Sequence, residues 1–154
     1  PHQSWLRQAS AEDARAVDAV MELTNIAEFA DRQLERLSGG QRQRAWIAMV
    51  LAQDTPLVFL DEPTTYLDLS HSVEVLSLVR RLADQEGRTV LMVLHDLNLA
   101  ARYSDQLIVM RRGEVRAVGA PAEVVTETLL NSVFDLPAVV ASDPVSGGPL
   151  VVPR

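Results

Sequence analysis

The chain has 154 residues but contains no cysteine, and its 14 basic residues are all arginine, so that it has no lysine. The absence of cysteine excludes disulfide bonds and thiolate metal sites. The absence of lysine excludes the phosphate-gripping loop G-x-x-x-x-G-K-[ST], whose lysine reaches the phosphates of a nucleotide. No apolar run approaches the roughly 20 residues that a membrane-spanning helix needs. The sequence therefore predicts neither a disulfide scaffold nor a membrane-spanning helix within it.

The net charge of −7 and the hydrophobic fraction of 47% limit the classes of protein that remain possible. A nucleic-acid-binding protein normally presents a basic face, so the acidic balance predicts no nucleic-acid partner. The apolar fraction can supply the core of one domain or of a large part of one. The chain begins at Pro1 without methionine, and its first helix pattern starts only at Ser10. We therefore expect it to be part of a longer protein.

The residue pattern changes twice along the chain and predicts three segments. Residues 1–53 are helical, with Ser10 and Ser38 as predicted N-caps. Residues 54–119 alternate short apolar strands with helices, and residues 120–154 contain short helices and two short strands. The predicted strands span residues 57–60, 89–94, 106–111, 114–118, 139–141 and 150–152. Unbroken apolar strands that alternate with helices predict an α/β fold whose sheet is mostly parallel and covered by helices on both faces.

The first candidate site is the run Leu-Ser-Gly-Gly-Gln at residues 37–41. Ser38 offers a hydroxyl group and, with Gly39 and Gly40, backbone N–H groups at the start of a helix. Two glycines let a phosphate approach the backbone closely, and the helix dipole favours negative charge there. Ser-Gly-Gly by itself is more often an ordinary helix cap, but the full run through Gln41 favours a phosphate contact.

The second candidate site follows the apolar strand at residues 57–60. Asp61 and Glu62 stand at its carboxyl end, where parallel sheets bind their ligands. An isolated Asp-Glu pair is usually a solvated strand end. The stretch Pro-Thr-Thr-Tyr-Leu-Asp, which ends at Asp68, makes that interpretation improbable here. His95 then follows the next apolar strand, although a lone histidine in a loop is usually a surface residue.

These motifs, in this order and spacing, resemble the ATPase subunits of ABC transporters. Residues 37–41 resemble the signature motif, residues 57–62 the Walker B strand, residues 63–68 the D-loop, and His95 the switch histidine. The resemblance covers nearly the whole chain and implies a partial P-loop NTPase fold, with a helical signature subdomain and a catalytic α/β core. It implies that the phosphate-gripping (Walker A) loop and the glutamine loop precede Pro1.

The resemblance also implies a role for each motif residue. Ser38, Gly39, Gly40 and Gln41 would contact the terminal phosphate of an ATP molecule that the opposite protomer holds. Asp61 would hold Mg²⁺ through water, and Glu62 would polarise the attacking water as general base. Asp68 would cross the dimer interface beside the phosphate, and His95 would bond the terminal phosphate and sense its loss. We interpret His2 and His71 as surface residues, and Trp5 and Trp46 as packing residues.

Three features resemble the branch that imports iron chelates (siderophores), haem and cobalamin. They are the start Pro-His-Gln, Tyr66 within the D-loop stretch, and the tail Asp-Pro-Val-Ser-Gly-Gly-Pro at residues 143–149. This likeness implies a head-to-tail dimer of ATPase subunits bound to transmembrane permease subunits. The subunit would be cytoplasmic and peripheral on the inner face of the cell membrane. Without the upstream loops, we expect the chain alone to be inactive.

Two other functions remain open at this point. A non-transport ABC ATPase of DNA repair or translation would usually show a long coiled coil or tandem cassettes, and this sequence shows neither. A catalytically silent docking module would need neither Glu62 nor His95.

Overall fold

The computed structural model describes residues 11–154 except residue 66. Two compact units make up the chain, Pro1–Val93 and Leu94–Arg154. The predicted cap Ser10, the start Pro-His-Gln with His2 and Trp5, and Tyr66 lie outside the described residues. The division into three segments at residues 53 and 119 stays a prediction. None of the described helices is long and apolar enough to cross a membrane.

The described part of the first unit contains three α-helices and two short 3-10 helices besides its strands. The α-helices are α1 (Ala11–Leu23), α2 (Gly39–Leu51) and α3 (Leu69–Glu86), and the 3-10 helices are Ala27–Phe29 and Leu34–Arg36. Ser38 caps α2, as predicted, and Asp68 caps α3. Helix α3 ends at Gly87 with a φ of +64°, the left-handed conformation that glycine adopts without strain.

The strands of the first unit are β1 (Leu57–Asp61) and β2 (Thr89–Val93), which pair in parallel with Leu57 opposite Thr89 and Asp61 opposite Val93. One face of the pair packs on α2 and α3. Its core consists of buried aliphatic side chains: Ile47, Leu51, Val58, Leu60, Val75, Leu78, Val79 and Leu82. This core fixes where the carboxyl end of β1 lies relative to α2 and α3.

The other face of this pair corrects the predicted sheet in two respects. Leu57, Phe59, Leu91 and Val93 are 44–63% exposed, so the expectation of helices on both faces is wrong for the described residues. The described strands also form three two-stranded sheets, of which β1–β2 alone is parallel. The prediction of a mostly parallel sheet is therefore wrong, although the mixed α/β class is confirmed.

The second unit contains α4 (Leu97–Tyr103), α5 (Pro121–Val124) and α6 (Glu127–Phe134) with two antiparallel hairpins. Strands β3 (Leu107–Arg111) and β4 (Glu114–Gly119) form the first hairpin, and β5 (Ala138–Ser142) and β6 (Pro149–Pro153) the second. Arg112 and Gly113 make the predicted turn of the first hairpin, both with positive φ, as a two-residue hairpin turn requires. The core of this unit is formed by Ala101, Val125, Leu130, Ala138 and Val151.

Candidate phosphate-binding and carboxylate sites

The start of α2 presents a group of hydrogen-bond donors. The Oγ atom of Ser38 accepts from the backbone N–H of Gln41 at 3.3 Å, and the Oε1 atom of Gln41 accepts from the backbone N–H of Ser38 at 2.9 Å. Because each side chain uses an acceptor atom in this capping box, the Ser38 hydroxyl hydrogen and the Gln41 amide NH₂ remain as donors. The first turn of a helix also leaves its backbone N–H groups without helical acceptors, here including Gly39 and Gly40. This donor group suits an anion.

Gly40 is buried at this helix start, and a neighbouring side chain explains why it is glycine. A Cβ atom at Gly40 would overlap the Cδ2 atom of His71 and would lie 3.0 Å from its Cγ atom. At Gly39, a Cβ atom would lie 3.8 Å from the Leu67 side chain, which is ordinary contact. The His71 side chain is 40% exposed, in line with its interpretation as a surface residue, but its ring also fills the space beside Gly40.

Asp68 connects to the same histidine. Its Oδ1 atom accepts from the backbone N–H of His71 at 2.9 Å and lies 2.8 Å from the His71 Nδ1 atom. The backbone hydrogen bond from His71, followed by the side-chain bond, lowers the pKa of Asp68 from its ordinary value. Asp68, His71 and Gly40 thus belong to one continuous cluster in the first unit.

The carboxylate pair occupies the end of β1. Asp61 is the last residue of the strand and is exposed, and Glu62 follows it half-buried with a φ of +48°. A non-glycine residue in this left-handed conformation costs about 1–3 kcal/mol and often marks a functional turn. The Thr65 hydroxyl donates to the Oε2 atom of Glu62 at 2.8 Å, which fixes the direction of the carboxylate.

Asp61 has the chemistry of a magnesium ligand rather than of a closed metal centre. No group of three or more His, Cys, Asp or Glu residues among the described residues could hold a metal ion. Mg²⁺ commonly uses one or two carboxylates and completes its shell with water and substrate phosphates. A single exposed carboxylate at a strand end fits that requirement.

A cavity of about 260 Å³ lies between α2 and β1. Trp46 and Phe59 line it with other apolar residues, and Asp61 is the ionisable residue in its lining. The prediction of Trp46 as a packing residue is wrong, because its side chain is 50% exposed.

His95 is exposed and belongs to the second unit, directly before the N-cap of α4. That cap is Asp96, whose Oδ1 atom accepts from the N–H groups of Asn98 and Leu99 at 2.8 and 2.9 Å. The Asn98 amide bonds both the N–H group (2.7 Å) and the carbonyl group (3.2 Å) of Val151 in β6. The convergence of His95 with Asp61 and Glu62 stays a prediction.

The tail that sequence reasoning could place only by likeness has a structural explanation. Asp143 is buried and accepts from the Val145 N–H (3.0 Å), the Ser146 hydroxyl (2.8 Å) and the Arg102 guanidinium of α4 (2.8 and 2.5 Å). These donors, the Val145 N–H first and then Ser146 and Arg102, hold the pKa of Asp143 at about 2. The turn at residues 143–148 therefore anchors α4 to the second hairpin.

A donor-rich helix start and a carboxylate pair at the end of a parallel strand give this α/β protein a candidate phosphate site. Residues 1–65 match the sequence profile described as "ABC transporter". The chain is 50% identical over its whole length to the petrobactin import ATP-binding protein FpuD of Bacillus anthracis. It is also 50% identical, over 99% of its length, to the ferric enterobactin transport ATP-binding protein FepC of Escherichia coli. The chain spans 56% of the length of each of these relatives.

Solved structures share the fold. A metal-chelate type ABC transporter in an inward-facing conformation matches 99% of this chain with a TM-score of 0.90 and 28% identity, and 61% of that chain is covered. The dimeric bacterial ABC transporter cassette MJ0796 matches 75% of this chain with a TM-score of 0.63 and 30% identity, over 50% of its own length. The chain thus carries part of the ABC transporter sequence profile and is similar along its whole length to part of ATP-binding proteins that are named for iron-chelate import.

Proposed function

We propose that the chain carries the signature, Walker B and switch elements of an ATP-hydrolysing subunit that powers the import of an iron chelate. The observation that carries the hydrolytic part is the pair Asp61 and Glu62 at the carboxyl end of β1, with Glu62 in a left-handed turn that Thr65 fixes. The relatives named for petrobactin import and ferric enterobactin transport support the substrate class.

The donors at the start of α2 bind the terminal phosphate of an ATP molecule whose other contacts lie on a second subunit. Ser38 supplies its hydroxyl group, Gly39 and Gly40 their backbone N–H groups, and Gln41 its amide group. Phosphoryl transfer depends mainly on positioning and charge stabilisation, so fixed donors at this position lower the barrier.

Asp61 and Glu62 divide the remaining chemistry. Asp61 holds Mg²⁺ through water, and the ion, when bound, neutralises negative charge on the phosphate oxygens. Glu62 accepts a proton from the attacking water as general base. The hydrogen bond from Thr65 restricts the Glu62 carboxylate to one direction, which suits a base that must meet one water molecule.

Asp68 and His95 act where two subunits meet the phosphate. Asp68 lies on the D-loop at the dimer interface, and His95 donates to the terminal phosphate and loses that contact after hydrolysis. The partners are a second ATPase subunit in a head-to-tail homodimer and transmembrane permease subunits, on the cytoplasmic face of the membrane. The dimeric cassette supports the first partner, and the import relatives support the second.

The upstream region is needed for turnover in this proposal. The chain has no lysine to grip the β- and γ-phosphates, so the 154 residues alone are inactive. Experiments on activity therefore use an extended protein, defined as this chain preceded by the region expected before Pro1.

The test is the substitution Glu62→Gln in the extended protein. Glutamine has nearly the same shape but cannot accept the proton, so we expect ATP turnover to fall by about 10²–10⁴-fold. ATP binding, measured by calorimetry, is expected to persist. Glu22→Gln on the exposed side of α1 is the matched control and should leave turnover unchanged. Unchanged turnover in Glu62→Gln would reject Glu62 as the general base.

A further inference from the structure

We propose that His71 is a positioning residue that couples Asp68 of the D-loop to Gly40 of the signature motif. The inference rests on the proposed function, because it assigns His71 an effect on ATP turnover through those two elements. The residue is 31 positions from Gly40 along the chain, and its imidazole ring contacts both partners in the first unit.

The contact with Asp68 fixes the ring. The carboxylate has a lowered pKa and acts as an acceptor, so the Nδ1 atom of His71 must carry the hydrogen of the 2.8 Å bond. The same Oδ1 atom caps α3 through the His71 backbone N–H at 2.9 Å. Asp68 is thereby held twice by a single residue, and any displacement of its carboxylate displaces the ring.

The contact with Gly40 transmits that displacement. The buried Gly40 leaves the space that the ring occupies, since an added Cβ atom would overlap Cδ2 and would lie 3.2 Å from Nε2. At the adjacent Gly39 an added Cβ atom would lie 3.8 Å from the Leu67 Cδ2 atom, which is ordinary contact, so the close fit is at Gly40. Close-packed groups of this kind transmit small shifts because they leave no free volume between them.

The consequence concerns how the two subunits act together on ATP. In the proposed function, the D-loop and the signature motif of one protomer both meet the phosphate end held by the other. A ring that is bonded to Asp68 and packed on Gly40 makes the two elements move together. Loss of this coupling should slow turnover while leaving ATP affinity nearly unchanged, because the main grip on ATP lies elsewhere.

The first test separates the hydrogen bond from mere packing of α3. In the extended protein, His71→Ala should lower kcat roughly three- to tenfold with little change in KM. His71→Asn keeps a donor where Nδ1 lies but removes the ring atoms beside Gly40, so it should also turn over more slowly than the parent. His71→Gln places its nitrogen farther out and should behave like His71→Ala. Ser70→Ala, the exposed neighbour, is the control. A parent rate in His71→Ala, or full rescue by asparagine without the ring, would overturn the inference.

The second test measures the Gly40 contact by a double-mutant cycle. Gly40→Ala should lower the melting temperature of the extended protein, and the loss should shrink when His71→Ala is also present, because the clash is then removed. An equal loss in both backgrounds would contradict the contact. Absence of turnover in the unsubstituted extended protein would instead reject the proposed function, and this inference with it.

Discussion

Asp143 shows how one residue can anchor a segment that has no catalytic motif. Its carboxylate accepts hydrogen bonds from Val145, Ser146 and Arg102, and its backbone carbonyl accepts from Gly147. Hydrogen bonds to the ionised form favour that form, and the pKa of Asp143 is accordingly about 2, against an ordinary value of 3.8. The ionised carboxylate therefore stabilises the turn that holds α4.

We expect this stabilisation to depend on pH in one direction. Because the folded-state pKa of Asp143 is depressed, the stabilisation is fully present above pH 3.8 and is lost as the pH falls toward about 2. Asp143→Asn should lower the melting temperature at neutral pH, and the difference from the parent should narrow below about pH 4. Thermal unfolding followed by circular dichroism measures both effects. Asp84→Asn, in an exposed ion pair with Arg80, is the control and should change the melting temperature less.

A difference between parent and Asp143→Asn that stays constant from neutral pH to pH 3 would contradict the assignment. It would mean that the ionised carboxylate itself contributes nothing and that the side-chain shape alone matters.

Local residue roles could be predicted from the sequence, whereas roles that depend on distant partners could not. The Ser38 cap and its Gln41 partner are three residues apart, so their pattern is visible in the sequence. His71 meets Gly40, and Asp143 meets Arg102 across 41 residues, and no spacing rule indicates either contact. A sequence shows which residues share a helix face but not which helix lies against it.

At the scale of elements, the positions of the strands were predictable from the sequence. The burial of each face of their sheet was not. Apolar runs bounded by turn residues predict β1 and β2 to within one residue at their ends. The same runs suggested burial on both faces, because Phe59 and Leu91 are as apolar as the inward residues beside them. In the structure these two side chains are opposite each other on the exposed face, 63% and 44% exposed.

This exposed face should make the 154-residue chain self-associate. A flat apolar surface beside an open strand edge favours pairing with another copy. Replacing Phe59 and Leu91 together by serine should shift the sedimentation profile toward the monomer. Val145→Ser, an isolated side chain that is 80% exposed in the tail turn, is the matched control and should leave the profile unchanged. A parent chain that sediments as a monomer at all concentrations would contradict the expectation.

At the scale of the whole molecule, the likeness to ABC transporter ATP-binding proteins was predictable because the motifs are short and contiguous. The runs at residues 37–41 and 57–68 are each continuous in the chain, so their patterns can be recognised from the sequence alone. The predicted convergence of His95 with Asp61 is of another kind, because the two residues belong to different units. The predicted convergence on one phosphate thus depends on long-range packing that no motif encodes.

The balance of charges in the whole chain leads to the last prediction. The 154 residues carry a net charge of −7, and the ATP triphosphate is strongly anionic, so binding needs concentrated positive charge. The donors at the start of α2 supply partial charges only, and the sequence has no lysine to supply the rest. We expect calorimetry to detect no binding of the 154-residue chain at micromolar ATP with Mg²⁺, whereas the extended protein should bind under the same conditions. Micromolar affinity of the 154-residue chain would mean that the donors at residues 38–41 hold ATP without a second site, and the shared phosphate site proposed for two subunits would then be wrong.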